Sequence, residues 1–248
     1  MVSVNSLIQK SKEHFMTKKS LIKPMPSDDK NGIFTEDKDY LKTKKGSIWG
    51  KMTKRTITKI SEFFGNKPHI LLDLGCGDGR YTRFLKQFAD KVIGLDIDPS
   101  PLLKIMRDLP DFERENIKLV QANIKKSLPF ETGGIDAVFS TGLLHLFEPN
   151  VFRKIALEIN RVLRPEGKVL LDFGINIKRV ELETELPYKP GKKPSLNRKE
   201  AVDMIRSAFP GFEIKFNDGD KMKRKFKDAN PPYKIHCENL LVTAIKNG

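Results

Sequence analysis

Between residues 69 and 173, short and nearly continuous apolar runs alternate with longer amphipathic stretches, and no other feature of the chain narrows the fold as sharply. The runs cover residues 70–74, 92–95, 117–120, 135–139 and 169–173. Strands buried on both faces read this way, and the intervening stretches are long enough for crossover helices. The pattern therefore predicts βαβ units repeated into a parallel sheet, a doubly wound α/β fold. Helices are expected over residues 81–88, 101–109, 151–163 and 198–209, the second with Ser100 as its cap and Pro101 in its first turn. After Phe173 comes a polar insertion over residues 174–197. Two last strands, over 212–216 and 240–245, should then pair antiparallel.

Charge divides the chain differently. Residues 1–67 hold 15 Lys and Arg against 7 Asp and Glu, residues 68–173 hold 15 against 15, and residues 174–248 hold 16 against 10. The first 67 residues read as a basic arm or lid with one or two short helices, and residues 68–248 as the folded domain. A neutral middle between basic flanks suits contact with something anionic, since clustered Lys and Arg attract phosphate. Solubility is the alternative reading. No apolar run approaches membrane-spanning length, and neither a signal peptide nor a membrane partner is expected. Cys76 and Cys237 are too few for a disulfide framework and lack companions for a metal site, so no metal is expected and the cytoplasm is the default setting.

Chemistry concentrates where the first strand meets its helix. Asp73, Leu74, Gly75, Cys76, Gly77, Asp78, Gly79 and Arg80 make a glycine-rich turn whose backbone N–H groups face a ligand crevice. Asp96, at the end of the second strand, is placed to accept hydrogen bonds from both hydroxyls of a ribose. A dinucleotide site would ask for glycine at position 80, which is Arg80, so a pyrophosphate ligand is disfavoured.

Three motifs in order, residues 73–79, residues 94–98 and residues 161–167, together with Leu128, Pro129 and Phe130 before the fourth strand and Leu143, Leu144, His145 and Leu146 after it, resemble the class I S-adenosylmethionine-dependent methyltransferases of the type 11 or type 25 kind. The resemblance covers residues 68–173. It implies a Rossmann-like seven-stranded sheet, mostly parallel with an antiparallel C-terminal pair, and S-adenosylmethionine as cofactor. Carried over by position, Gly75 and Gly77, with Asp73 at their entrance, would line the methionine end, Asp96 would hold the ribose, Ile97 would pack on the adenine, and Cys76 and Ser140 would also belong to the cofactor site. Asn123 and the backbone of Ile124 would meet the adenine edge. Glu166 departs from the family by standing where a glycine is usual, which bears on that turn alone. Asp98 has two readings of equal weight, a part in the site or a cap on the next helix.

Methyl transfer to an N or O nucleophile is in-line and asks mainly for positioning. His145, after the fourth strand, is the histidine placed to act as a base, against the reading of a wall residue. Asn230, Pro231, Pro232 and Tyr233 spell a string that amino-methyltransferases use, yet here it falls between the last two strands, where a turn is the expected role. Trp49, Phe34 and Tyr40 belong to the arm, read as a lid. Residues 221–227 form the densest basic cluster, with solvated surface as the plain reading. The acceptor stays open. RNA (tRNA or rRNA) gripped by the basic flanks is the specific alternative, and a non-catalytic interaction module is a third reading.

Overall fold

A computed structural model describes residues 40–188, 195–227 and 231–248. Phe34 and Asn230 lie outside these residues. Four short strands, β1 (Ile70–Leu74), β2 (Lys91–Asp96), β3 (Ile117–Gln121) and β4 (Ile135–Thr141), pair in parallel, and three long ones follow: β5 (Leu163–Glu181), β6 (Phe212–Phe226) and β7 (Tyr233–Lys246). Among the described residues they form one seven-stranded sheet in the order β3-β2-β1-β4-β5-β7-β6, with β7 antiparallel to both β5 and β6. The order reverses at β1 and β4. This switch point opens a crevice outside the strand ends.

Alternation along each strand divides the core between two faces. Leu72, Leu74, Val138, Leu171 and Phe173 meet Phe152, Ile155 and Ile159 of helix α5 (Pro149–Val162) and Ala201 and Ile205 of α6 (Arg198–Ala208). On the opposite face Leu71, Ala137, Phe139 and Leu170 meet Ile60 of α1 (Lys54–Phe63), Leu85 of the short α2 (Thr82–Leu85), and Leu102 and Ile105 of α3 (Pro99–Asp108). Each Leu, Ile, Val or Phe among them contributes about 1.5–3 kcal/mol by leaving water. A one-turn helix, α4 (Asp111–Arg114), precedes β3. The end of the sequence-defined arm is thus joined to the body. Thr53 caps α1, Ile60 and Phe64 are fully buried, and the Thr56 hydroxyl donates to Asp172 at 2.8 Å.

Several elements depart from expectation for local reasons. α3 is capped by Asp98, not Ser100: the Asp98 carboxylate accepts from the Ser100 backbone N–H at 2.8 Å, and Pro99 takes the first turn. The helix expected over 81–88 is one α turn followed by a 3-10 turn, Lys86–Phe88. β5, β6 and β7 run well past their predicted ends, because cross-strand pairing continues through residues too polar to read as strands. Glu166 adopts φ 60°, the left-handed conformation that a glycine would take more cheaply. At Gly167 a Cβ would stand 2.7 Å from the Arg164 carbonyl, so that position admits no side chain.

Candidate active site

The turn after β1 is held open for a ligand by its own backbone. Gly75, Gly77 and Gly79 all have positive φ, at 72°, 53° and 80°, and the N–H groups of Gly75 and Cys76 both donate to the Leu95 carbonyl, at 2.8 and 3.0 Å. That contact ties the turn to the end of β2. There Asp96 accepts from Gly77 N at 2.9 Å through Oδ2 and from Asp98 N at 3.0 Å through Oδ1. Each oxygen of a carboxylate has a second acceptor site, so the arrangement leaves room for two hydroxyl donors. Burial pushes the Asp96 carboxyl up, while the Asp98 and Gly77 N–H groups pull it down.

Asp73 lies beneath the turn. It is buried, accepts from the Thr82 hydroxyl at 2.7 Å, and is pushed up to about 7 by burial first, with the Asp96 charge adding to the rise. Cys76 and Ser140 turn inward. The Cys76 sulfur would stand 3.1 Å from a Cβ on Gly94, and burial holds its thiol protonated; the Ser140 hydroxyl donates to the Leu74 carbonyl at 2.9 Å. Ile97 is half-buried just beyond Asp96, and Gln121 Nε2 donates to its carbonyl at 3.1 Å. Asn123 Oδ1 accepts from Lys125 N at 2.9 Å, which fixes the side chain at the end of β3 with one acceptor position left, and Ile124 is buried beside it.

His145 sits in a 3-10 turn, Leu144–Leu146, after β4, and its Nδ1 faces the N–H of Gly174 on β5 at 3.4 Å. Accepting there commits the Nδ1 lone pair, so a neutral ring presents Nε2–H as a donor. The parallel strand order brings Asp73, the glycine turn, Asp96, Asn123 and His145 to one edge of the sheet.

The arm closes over this edge. Asp78 accepts from the Ser47 hydroxyl and from Ile48 N, both at 2.7 Å, while Arg80 donates to the Trp49 carbonyl at 3.3 Å. The Trp49 indole covers Gly77, 3.5 Å from where a Cβ would stand, and Arg224 of β6 packs its guanidinium over the ring at 5.7 Å. Tyr40 is buried nearby in the chain, and Lys104, itself buried, donates to the Gly46 carbonyl.

Three residues here were missed by sequence reasoning. Asp78 and Arg80 lie within the glycine run but were passed over for its backbone. Asp172 was visible as a lone acid in the apolar run of β5. It is 5% exposed, its Oδ1 has no hydrogen-bond partner among the described residues, and burial raises it against Thr56, Arg55 and Arg80, with the Asn239 amide also close. Its carbonyl accepts from Gly142 N at 2.8 Å, which places it beside the end of β4.

Pro231, Pro232 and Tyr233 enter β7 at the far tip of the long strands, where Leu182 N donates to the Pro232 carbonyl and Tyr233 stacks on Tyr188 at 4.2 Å. They are a turn and its flank, outside the crevice. Residues 221–226 of the basic run form the outer half of β6, with Lys221, Lys223 and Lys225 exposed as the plain reading expects. Among the described residues, no cluster of three or more His, Cys, Asp or Glu could hold a metal, and no helix is long and apolar enough to cross a membrane.

Residues 72–171 match the family model described as a methyltransferase domain. An uncharacterized methyltransferase of Schizosaccharomyces pombe is 31% identical over 141 residues, 55% of this chain and 50% of that protein. The tRNA (carboxymethyluridine(34)-5-O)-methyltransferase of Xenopus tropicalis is 30% identical over 146 residues, 56% of this chain and 22% of that protein. The chain thus spans half or less of the length of these curated relatives. Among solved structures, a SAM-dependent methyltransferase from Methanosarcina mazei superposes with a TM-score of 0.58 at 18% identity, covering 80% of this chain and 99% of that one.

Proposed function

We propose that this chain, which belongs to the class I S-adenosylmethionine-dependent methyltransferases, carries a methyl group from that cofactor to an N or O nucleophile of its acceptor. The observation that carries the reading is the bond from Gly77 N to Asp96 at 2.9 Å, which joins a positive-φ glycine turn to a ribose-competent carboxylate. The donor set fits the group: free acceptor positions on Asp96, a short apolar wall at Ile97, the Asn123 amide with the Ile124 N–H, and a turn without side chains at Gly75 and Gly77. The bound cofactor supplies an electrophilic methyl on a sulfonium.

What this chain contributes is binding, orientation and exclusion of water. Asp73 carries its proton below neutrality and, through Thr82, fixes the first turn of α2 under the methionine end. Cys76 and Ser140 serve the same region through packing and backbone. Trp49, held by Asp78 and Arg80 and capped by Arg224, closes the crevice as a lid; of the arm over residues 1–67, set on a catalytic domain of residues 68–248, residues 1–39 lie outside the described residues. His145 faces the acceptor with Nε2–H, orienting its nucleophile; it serves as a base only when Gly174 releases Nδ1. The cytoplasm is the proposed setting. Release of S-adenosylhomocysteine on incubation with acceptor pools, lost in Asp96→Ala, is the test; no release with any pool while the cofactor binds would contradict catalysis.

A further inference from the structure

Beyond Gly174, β5 leaves the catalytic edge and, with the outer parts of β7 and β6, forms a three-stranded antiparallel extension about 25 Å long at the usual rise per residue. Its cross-strand rows are basic. Lys178, His236 and Lys223 stand opposite one another across all three strands, and Lys225 stands opposite Lys234. These rows gather lysines on the extension, which suits a surface that meets an anion. Lys178, Lys221, Lys223 and Lys225 are exposed and have no carboxylate partner among the described residues, whereas Lys234 is paired with Glu185.

Beside the row opens a cavity of about 730 Å³, lined by three of these lysines, by the carboxylates of Glu200 and Glu238, and by Asn176, Ser195 and Asn197. The last three side chains are engaged within the fold, Asn176 Nδ2 donating to Glu238, Ser195 Oγ accepting from Ile177 N and Asn197 Oδ1 accepting from Glu200 N, and each keeps a further hydrogen-bonding position. At the tip, the stacked rings of Tyr188 and Tyr233 offer an aromatic surface. A row of exposed lysines beside a concave surface suits a single polyanionic strand better than the plane of a bilayer. It is also continuous with the site, because the Gly174 N–H that meets His145 begins the extension.

We infer that this extension is the surface on which the acceptor, a single-stranded segment of RNA, is gripped by its phosphates. The inference rests on the methyl-transfer reading for its purpose, but binding is measured without turnover. The experiment is fluorescence anisotropy of a short fluorescein-labelled single-stranded RNA titrated with the full chain over a range of salt. The comparison is with the triple variant Lys178→Glu, Lys223→Glu, Lys225→Glu and with a control reversing the same number of charges at Lys126, Arg153 and Lys154. Wild type and control should bind alike, while the triple variant loses at least about tenfold in affinity and its slope of log affinity against log salt is shallower by about 2. Calorimetry with S-adenosylmethionine should be unchanged in the triple variant, which shows that it is folded. Equal RNA binding by wild type and triple variant overturns the proposal, as does equal loss in the control. Cofactor binding without RNA binding overturns the surface and leaves methyl transfer standing; RNA binding lost only in the triple variant, without cofactor binding in the wild type, supports the surface and overturns methyl transfer. Binding to phosphatidylserine vesicles in place of RNA overturns it in favour of a membrane.

Discussion

The two halves of the sheet use their strands differently. In the parallel half β1 to β4 run 5, 6, 5 and 7 residues and stop at a common edge, whereas β5, β6 and β7 run 19, 15 and 14 and project past it. Short strands deliver backbone N–H groups and carboxylates from successive loops to one line, which is what a small cofactor needs. Long strands instead build a second surface beyond that line, with lysines exposed along it. The halves also differ in charge: residues 68–173 balance, and residues 174–248 do not. On the proposed reading, one sheet separates holding the cofactor from meeting the acceptor, with Trp49 and Arg224 in contact between the two.

The parallel half should be the more sensitive to buried charge. Asp73, neutral in the fold up to about pH 7 and ionised above about 3.8 when unfolded, contributes stability fully below 3.8 and loses it as pH rises through 7. Asp73→Asn should remove that fall, a difference of up to about 4 kcal/mol at pH 8; urea denaturation across pH 4–8 checks it, and parallel curves for both proteins would break the comparison. Next in size, Gly79→Ala meets Ile105 Cγ1 at 2.8 Å as well as an unfavourable φ, and should lose about 3 kcal/mol. Gly211→Ala, in the turn before β6, has the same φ sign but open space around it, and should lose only about 1 kcal/mol.

Two smaller effects probe the bridge between the halves. Asp78→Ala releases Ser47 and Ile48, so limited proteolysis should cut residues 40–53 faster and cofactor affinity should fall by a few fold, about 1 kcal/mol. Unchanged cleavage would detach the arm from the site. His145→Ala should lower turnover about tenfold while leaving cofactor affinity within about twofold. Equal losses in both would make it part of the cofactor wall.

How legible each half was follows from the same contrast. β1 to β4 and the glycine turn could be read because apolar runs, positive-φ glycines and the spacing to Asp96 are local signals. The outer strands could not: residues 219–226 and 233–239 are polar and charged, and they are held in the sheet by partners distant in sequence. The basic run 221–227 was legible as surface but not as strand. Within the site, Asp73 and Asp96 were readable from their place at strand ends. The inward turn of Cys76 and Ser140 depended on packing against Gly94 and Leu74, and the clasp from Asp78 to Ser47 on a contact across 31 residues. Asp172 needed the neighbouring helix α1 to show that one of its oxygens is left without a partner.

The central claim is that Asp96 and the glycine turn together hold S-adenosylmethionine. Its most direct test is calorimetric titration of the wild type and of Asp96→Ala, with Asp96→Asn as a variant that keeps an oxygen for Gly77 N. Two lost hydrogen bonds of roughly 1 kcal/mol each predict about thirtyfold weaker binding by Asp96→Ala and an intermediate loss by Asp96→Asn. No heat from the wild type, or equal affinity in all three, would contradict the account.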